Sequence, residues 1–295
     1  MTTITDAASV SPYARPVPRP SAPPIRVRAM GFGFREAAIP RHWFHGNAHI
    51  TQLGNALQLL FPAGERFFIR SVKHYESQIQ DPELRARIRG FYGQEGRHGH
   101  EHERFFRVLE EQGYEIATLL SWYEELAYAK LEPRVPPSLR LSITAALEHF
   151  TAMMGHNALT SDFLDGAHPV IQDLMRWHAA EEIEHKSVAF DVFQEVDGRY
   201  LVRVAGLALA LIALTRFWAA ATKHLLAEEA RMGTDMEASE RVMKTTPRFI
   251  EEGKRRRRLF RDAILAYIKP SFHPSDEDDY GMARDYLTKI GRLDA

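Results

Sequence analysis

The chain has 295 residues, 45% of them hydrophobic and 26% charged, enough for one large domain or two small ones with a sizeable core. Lysine plus arginine (38) nearly balances aspartate plus glutamate (39), so no global field favours nucleic acid or an acidic partner. There is no cysteine, which excludes disulfides, thiolate metal sites and cysteine nucleophiles, and fits a reducing, cytoplasmic setting.

Residues 1–25 carry Pro16, Pro18, Pro20, Pro23 and Pro24 and no continuous apolar run, so the expectation is a disordered or loosely draped segment without a secretory signal. From Asn47 to Ile79 apolar residues recur at helical spacing, with a kink expected at Pro62. Asp81-Pro82-Glu83 reads as a helix start, with aspartate as cap and proline at the first position, and Gly113 suits the end of that helix. A shorter helix is expected over 116–130. Pro133, Pro136 and Pro137 then precede another over 138–163. His168-Pro169 opens a fifth, read as continuous to Val196. Beyond it lie an apolar helix (200–230), a charged one (238–268) and a short one after Pro274. The long segments repeat every three or four positions, so the fold class is all-α.

Two of these helices carry polar residues where core residues belong. Ile88, Phe91, Glu95, His98, His102, Phe105 and Leu109 share one stripe, as do Ile171, Leu174, His178, Glu182, His185, Ala189 and Val192. Each stripe is apolar at its ends and carboxylate and imidazole in its middle. Glu65 lies among Phe61, Phe68, Ile69 and Val72, and Glu148 among Leu141, Thr144, Ala145 and Ala152. A buried glutamate is costly unless it is paired or binds a cation. Four helices thus supply Glu, Glu-x-x-His, Glu and Glu-x-x-His in chain order, the inventory of a ferritin-like four-helix bundle with a dinuclear metal site. Oxygen and imidazole donors without thiolate favour iron or manganese, with zinc also open; the expected cofactor is two iron ions, with manganese or zinc as alternatives. The expected organisation is a metal-binding bundle over 41–197 and additional helices over 198–295.

Phe-Pro-Ala-Gly-Glu (61–65), Gln-Glu-x-x-His (94–98), Glu-His-Phe-Thr-Ala (148–152) and the Glu182–Asp191 segment together resemble a bacterial family labelled "predicted metal-dependent hydrolase". His178, Glu182 and His185, spaced His-x-x-x-Glu-x-x-His, also resemble the last ligand helix of the di-iron arylamine N-oxygenases. That resemblance implies His178 as a seventh protein ligand, and the arylamine substrate does not transfer.

The ligand set read from the sequence is therefore Glu65, Glu95, His98, Glu148, His178, Glu182 and His185. Glu65, Glu95 and His98 are assigned to one metal; Glu148, Glu182 and His185, with His178 added, are assigned to the other. His102 is either a further ligand or a residue behind one, and Asp191 a candidate to orient a ligating histidine. Glu181 and Glu184 read as solvated or supporting residues. The expected function is a non-haem di-iron oxidoreductase that activates O₂, with an electron-donor protein and a small apolar substrate as partners. A metal-dependent hydrolase is the alternative, and a non-catalytic metal-binding protein a third reading. The apolar run from Val204 to Thr222, interrupted by Arg216, is read as a core or homodimer-interface helix, with peripheral membrane contact as the alternative. The Lys254–Arg258 run is read as a solvated helix face.

Overall fold

The computed structural model describes residues 22–294. The helices are α1 (Ala48–Gln58), α2 (Phe61–Lys73), α3 (Pro82–Glu111), α4 (Ala117–Glu124), α5 (Pro137–Thr160) and α6 (Pro169–His185). They continue as α7 (Val188–Val196), α8 (Tyr200–Arg231), α9 (Met236–Thr245), α10 (Pro247–Tyr267) and α11 (Tyr280–Lys289). Among the described residues the sole β pairing is an isolated bridge between Phe44 and Ala167.

Several boundaries follow from local chemistry. The Asp81 carboxylate accepts from the Glu83 amide (2.9 Å) at the start of α3, with Pro82 at its first position. At the other end Gly113 takes φ +94°, and the Tyr114 and Gly113 amides return to the carbonyls of Leu109 and Glu110, a Schellman closure that a side chain at residue 113 would strain. Pro62 does not kink one long helix. The chain breaks at Leu59–Leu60, and Pro62 sits in the first turn of α2, where its missing N–H costs nothing. The charged segment divides likewise at Thr246, ahead of Pro247. The fifth expected helix also divides, directly after His185: the buried Lys186 donates to Asp279 (2.5 Å) and to the Glu277 carbonyl (2.6 Å), tying the break to the start of α11. The third expected segment is α4 followed by a π-helical stretch, Glu125–Leu131.

α2, α3, α6 and α5 close a ring in which each helix packs against the next, and α5 returns to α2. This arrangement is compatible with a ferritin-like bundle. Two apolar cores occupy its ends, one around Phe105, Leu109, Ile171 and Trp177, the other around Phe68, Ile88, Phe91, Phe150 and Phe193. The polar stripes lie between them. α8 packs on α5 and α1 through Leu207, Ala210, Ala221 and Leu225. It is long and apolar enough to cross a membrane, yet only 22% of its most apolar window is buried, so burial in this chain accounts for one face only. Leu201, Leu209 and Ile212 on the other face are exposed. On α10, Lys254 and Arg255 pair with Glu251 and Glu252 one turn back, as a solvated face does.

Residues 1–21 of the expected draped segment lie outside the described residues; within 22–25, Ala22 and Ile25 rest against the two apolar cores. Ile25 lies against α3 at Gly90, where an added Cβ would stand 2.6 Å from the Ile25 Cβ and 2.9 Å from its carbonyl oxygen. The strap then follows α3: Gln94 donates to the Arg26 carbonyl (3.0 Å) and Arg104 to that of Phe32 (2.9 Å).

Candidate metal centre

Because α3 and α6 each turn a Glu-x-x-His inward while α2 and α5 each turn one glutamate inward, the bundle interior collects four carboxylates and their histidines. Glu65, Glu95, His98, Glu148, His178, Glu182 and His185 are all brought together, none more than 4% exposed. Donor atoms of Glu65, Glu95 and His98 lie within 4.8 Å of one another, and so do those of Glu95, Glu148 and His185. Glu95 belongs to both groups.

Histidine placement sorts the cluster into two sides. His185 Nε2 stands 3.3 Å from Glu95, 3.4 Å from Glu148 and 3.4 Å from Glu182. His98 and His178 stack with centroids 4.1 Å apart on the other side. There His178 Nε2 lies 2.8 Å from Glu182 and 3.8 Å from Glu65, and His98 Nδ1 lies 3.6 Å from Glu182. His178 therefore stands with Glu65 and His98, not with Glu148 and His185 as the sequence assignment had it. The cause is helical rise: His178 is almost two turns before His185 on α6, which carries it to the far end of the cluster. His102 is bonded through Nε2 to His178 Nδ1 (2.7 Å), which turns the other His178 nitrogen toward the carboxylates.

The donor set fits divalent cations. Both carboxylate oxygens of Glu65, Glu95 and Glu148 are buried without a hydrogen bond, as are Glu182 Oε2, His185 Nε2 and His98 Nδ1. Such groups are seldom left bare unless something else satisfies them. Burial, reinforced by neighbouring carboxylate charge, pushes Glu65, Glu95 and Glu148 well above the ordinary glutamate range. At Glu182 burial is outweighed by His185 and His178, which hold it well below that range. When ionised the four carboxylates carry the charge that two divalent ions neutralise.

The ring nitrogens facing away from the cluster are also occupied. His98 Nε2 is bonded to Glu181 (3.0 Å), and His185 Nδ1 to the Gln94 side-chain oxygen (2.8 Å). Gln94 donates in turn to Glu184 (2.8 Å). Arg28, from the strap, donates to Glu181 (3.0 Å) and twice to Glu184 (2.6 and 3.0 Å). One buried guanidinium thus stands behind both histidines, the arrangement that fixes imidazole orientation around a metal. Its remaining donors reach the carbonyls of Arg292 (2.7 Å) and Leu293 (3.4 Å).

The role expected of Asp191 falls to these residues instead. Asp191 is bonded to His273 (2.7 Å), Ser187 (2.7 Å) and Arg87 (3.2 Å), none of them in the cluster, because the helix break after His185 turns α7 away. Two further histidines, His42 and His49, lie at Glu229 and Ser239, outside the cluster. Gln94 precedes a stripe residue and was visible within its motif; nothing in the sequence marked Arg28.

An apolar cavity of about 720 Å³ reaches the cluster at Glu65 and Glu182. Its walls come from α2, α5, α8, α4 and the π-helical stretch.

Residues 26–278 match the family described as "Predicted metal-dependent hydrolase". The chain belongs to that family. The matched span runs from the strap, with Arg28, through all the cluster residues and past α10. No curated protein and no solved structure matches the chain.

Proposed function

We propose that this family member is an O₂-activating oxidoreductase built on a dinuclear iron centre. Glu65, Glu95 and His98, with His178 beside them, would hold one iron; Glu148, Glu182 and His185 would hold the other. Glu95 belongs to both candidate groups and would serve either ion. The observation that carries the reading is the bare, fully buried carboxylate set at the closed end of an apolar cavity. When bound, two irons supply electrons for O₂ reduction, and an external electron donor must restore them.

The chain's own residues supply the rest. The phenylalanines and leucines around the cavity exclude bulk water and suit both O₂ and an apolar substrate. Gln94 and Glu181 hold the two imidazoles in orientation, with Arg28 fixing both supports. His102 holds His178.

The family description favours a second reading, hydrolysis by two metals that activate water. The cavity speaks against it, since its walls offer a hydrolysable polar group few partners. Elemental analysis of protein expressed with iron available, followed by anaerobic reduction and mixing with O₂, tests the choice. About two irons per chain, with O₂ consumption and an optical change, supports the oxidoreductase. Tightly held zinc or manganese with no O₂ uptake moves the assignment to the hydrolase.

A further inference from the structure

The cavity is graded from end to end. At its closed end Glu65, Glu182, Phe68 and Phe150 are buried, whereas at its mouth Trp122, Leu131, Leu209 and Ile212 are 39–56% exposed. The polar groups along its wall already have partners. The Tyr123 and Tyr128 hydroxyls bond each other (2.5 Å), Thr151 donates to the Glu148 carbonyl (3.0 Å), and Glu132 is held by Arg70 (2.6 Å) and Arg140 (3.6 Å). A ligand body lying against this wall would be apolar, because a polar one would be stripped of water without compensation.

The mouth differs. Arg216 on α8 lines it, is exposed, and has neither an ion pair nor a side-chain hydrogen bond among the described residues. Arg134 also lines it, and its guanidinium meets the Lys130 carbonyl but no carboxylate. The acidic side chains of the neighbouring π-helical region are occupied: Glu124 by Arg66 (2.8 Å) and Glu125 by Lys130 (2.8 Å). Two cationic groups without acidic partners therefore stand at the open end of an apolar tunnel whose other end is the carboxylate cluster.

We propose that this cavity binds an aliphatic anion, its chain directed inward toward Glu65 and Glu182 and its head group held at Arg216 and Arg134. This substrate class rests on the oxidoreductase reading only for what happens to the chain. Binding itself does not depend on it.

The test uses the protein as isolated, kept anaerobic to prevent turnover, with metal content measured on the same sample. Titration calorimetry with dodecanoate, dodecanol, dodecyltrimethylammonium and acetate separates chain from head group. Dodecanoate is expected to bind once per chain, and acetate not at all. Arg216→Glu, at an exposed position, is expected to weaken dodecanoate binding about tenfold or more while leaving dodecanol unchanged. Ala213→Trp, which obstructs the wall, should abolish binding of both with helix content preserved. Equal affinity for dodecanoate, dodecanol and the ammonium would overturn the head-group assignment, and absence of binding by all of them would overturn the proposal. Dodecanoate binding to protein that takes up no metal would leave the cavity standing and remove the centre. Two bound metals without dodecanoate binding would do the reverse.

Discussion

Two regions of this molecule bury carboxylates completely, and they do so in opposite ways. Glu229 on α8 is fully buried and fully served: Tyr114 and Thr234 donate to it in short hydrogen bonds, Gln52 donates at 2.7 Å, and His42 lies at 3.0 Å. Burial would raise its pKa, but those hydrogen bonds outweigh it and the carboxyl is held below the ordinary range. Glu65, Glu95 and Glu148 are as deeply buried, have no donor, and are pushed the other way. Burial alone therefore does not mark a ligand. A buried carboxylate without donors is the candidate, since it is stable as an anion only beside a cation.

The comparison breaks most sharply at Glu95. Glu95→Gln is expected to abolish binding of both metals, because a residue common to both candidate groups is lost, while raising the thermal midpoint of the metal-free chain by removing a carboxyl whose ionisation is disfavoured by burial and by neighbouring carboxylates. Retention of both metals by elemental analysis would sink the ligand assignment. Glu229→Gln should have the opposite profile, with metal content unchanged and stability lowered by about 3 kcal/mol in denaturant unfolding. The pH dependence follows from the same depressed pKa. Glu229's contribution is complete above the ordinary glutamate value of 4.5 and is lost as pH falls through its lower folded value, and the glutamine variant should lack that slope.

A smaller effect tests the supports. Gln94→Ala leaves every candidate ligand in place but frees His185 Nδ1, and metal affinity is expected to fall about 10–100-fold, measured by chelator competition. An unchanged affinity would mean that the imidazole needs no such restraint. The smallest effect is expected at Asp191. Asp191→Asn should cost about 1 kcal/mol of stability through its bonds to His273 and Ser187 and leave metal affinity untouched.

The candidate centre was legible where helical period could be counted. Glu95, His98 and His102 declare themselves by sharing a stripe with Phe91 and Phe105, and Glu182 and His185 by sharing one with Leu174 and Val192. Period says which residues face inward but not how far along the axis two helices meet, and so does not place His178 beside Glu65 and His98, where it stands. Helix interruptions were read less well than helices. Pro62 and Pro247 start helices here, and the break after His185 depends on a lysine whose partners lie more than 90 residues later. Arg28 was illegible for a related reason. It sits in a strap without periodicity, and its carboxylate partners are 153 and 156 positions away.

That distance has a consequence for how the protein is made. Arg28 emerges from the ribosome early, yet two of its acceptors are the carbonyls of Arg292 and Leu293, the first of them 264 positions later. Until those arrive, a guanidinium destined for burial lacks part of its complement. A chain lacking Arg292 and Leu293 would keep the candidate ligands but lose two of the acceptors that hold Arg28 behind them.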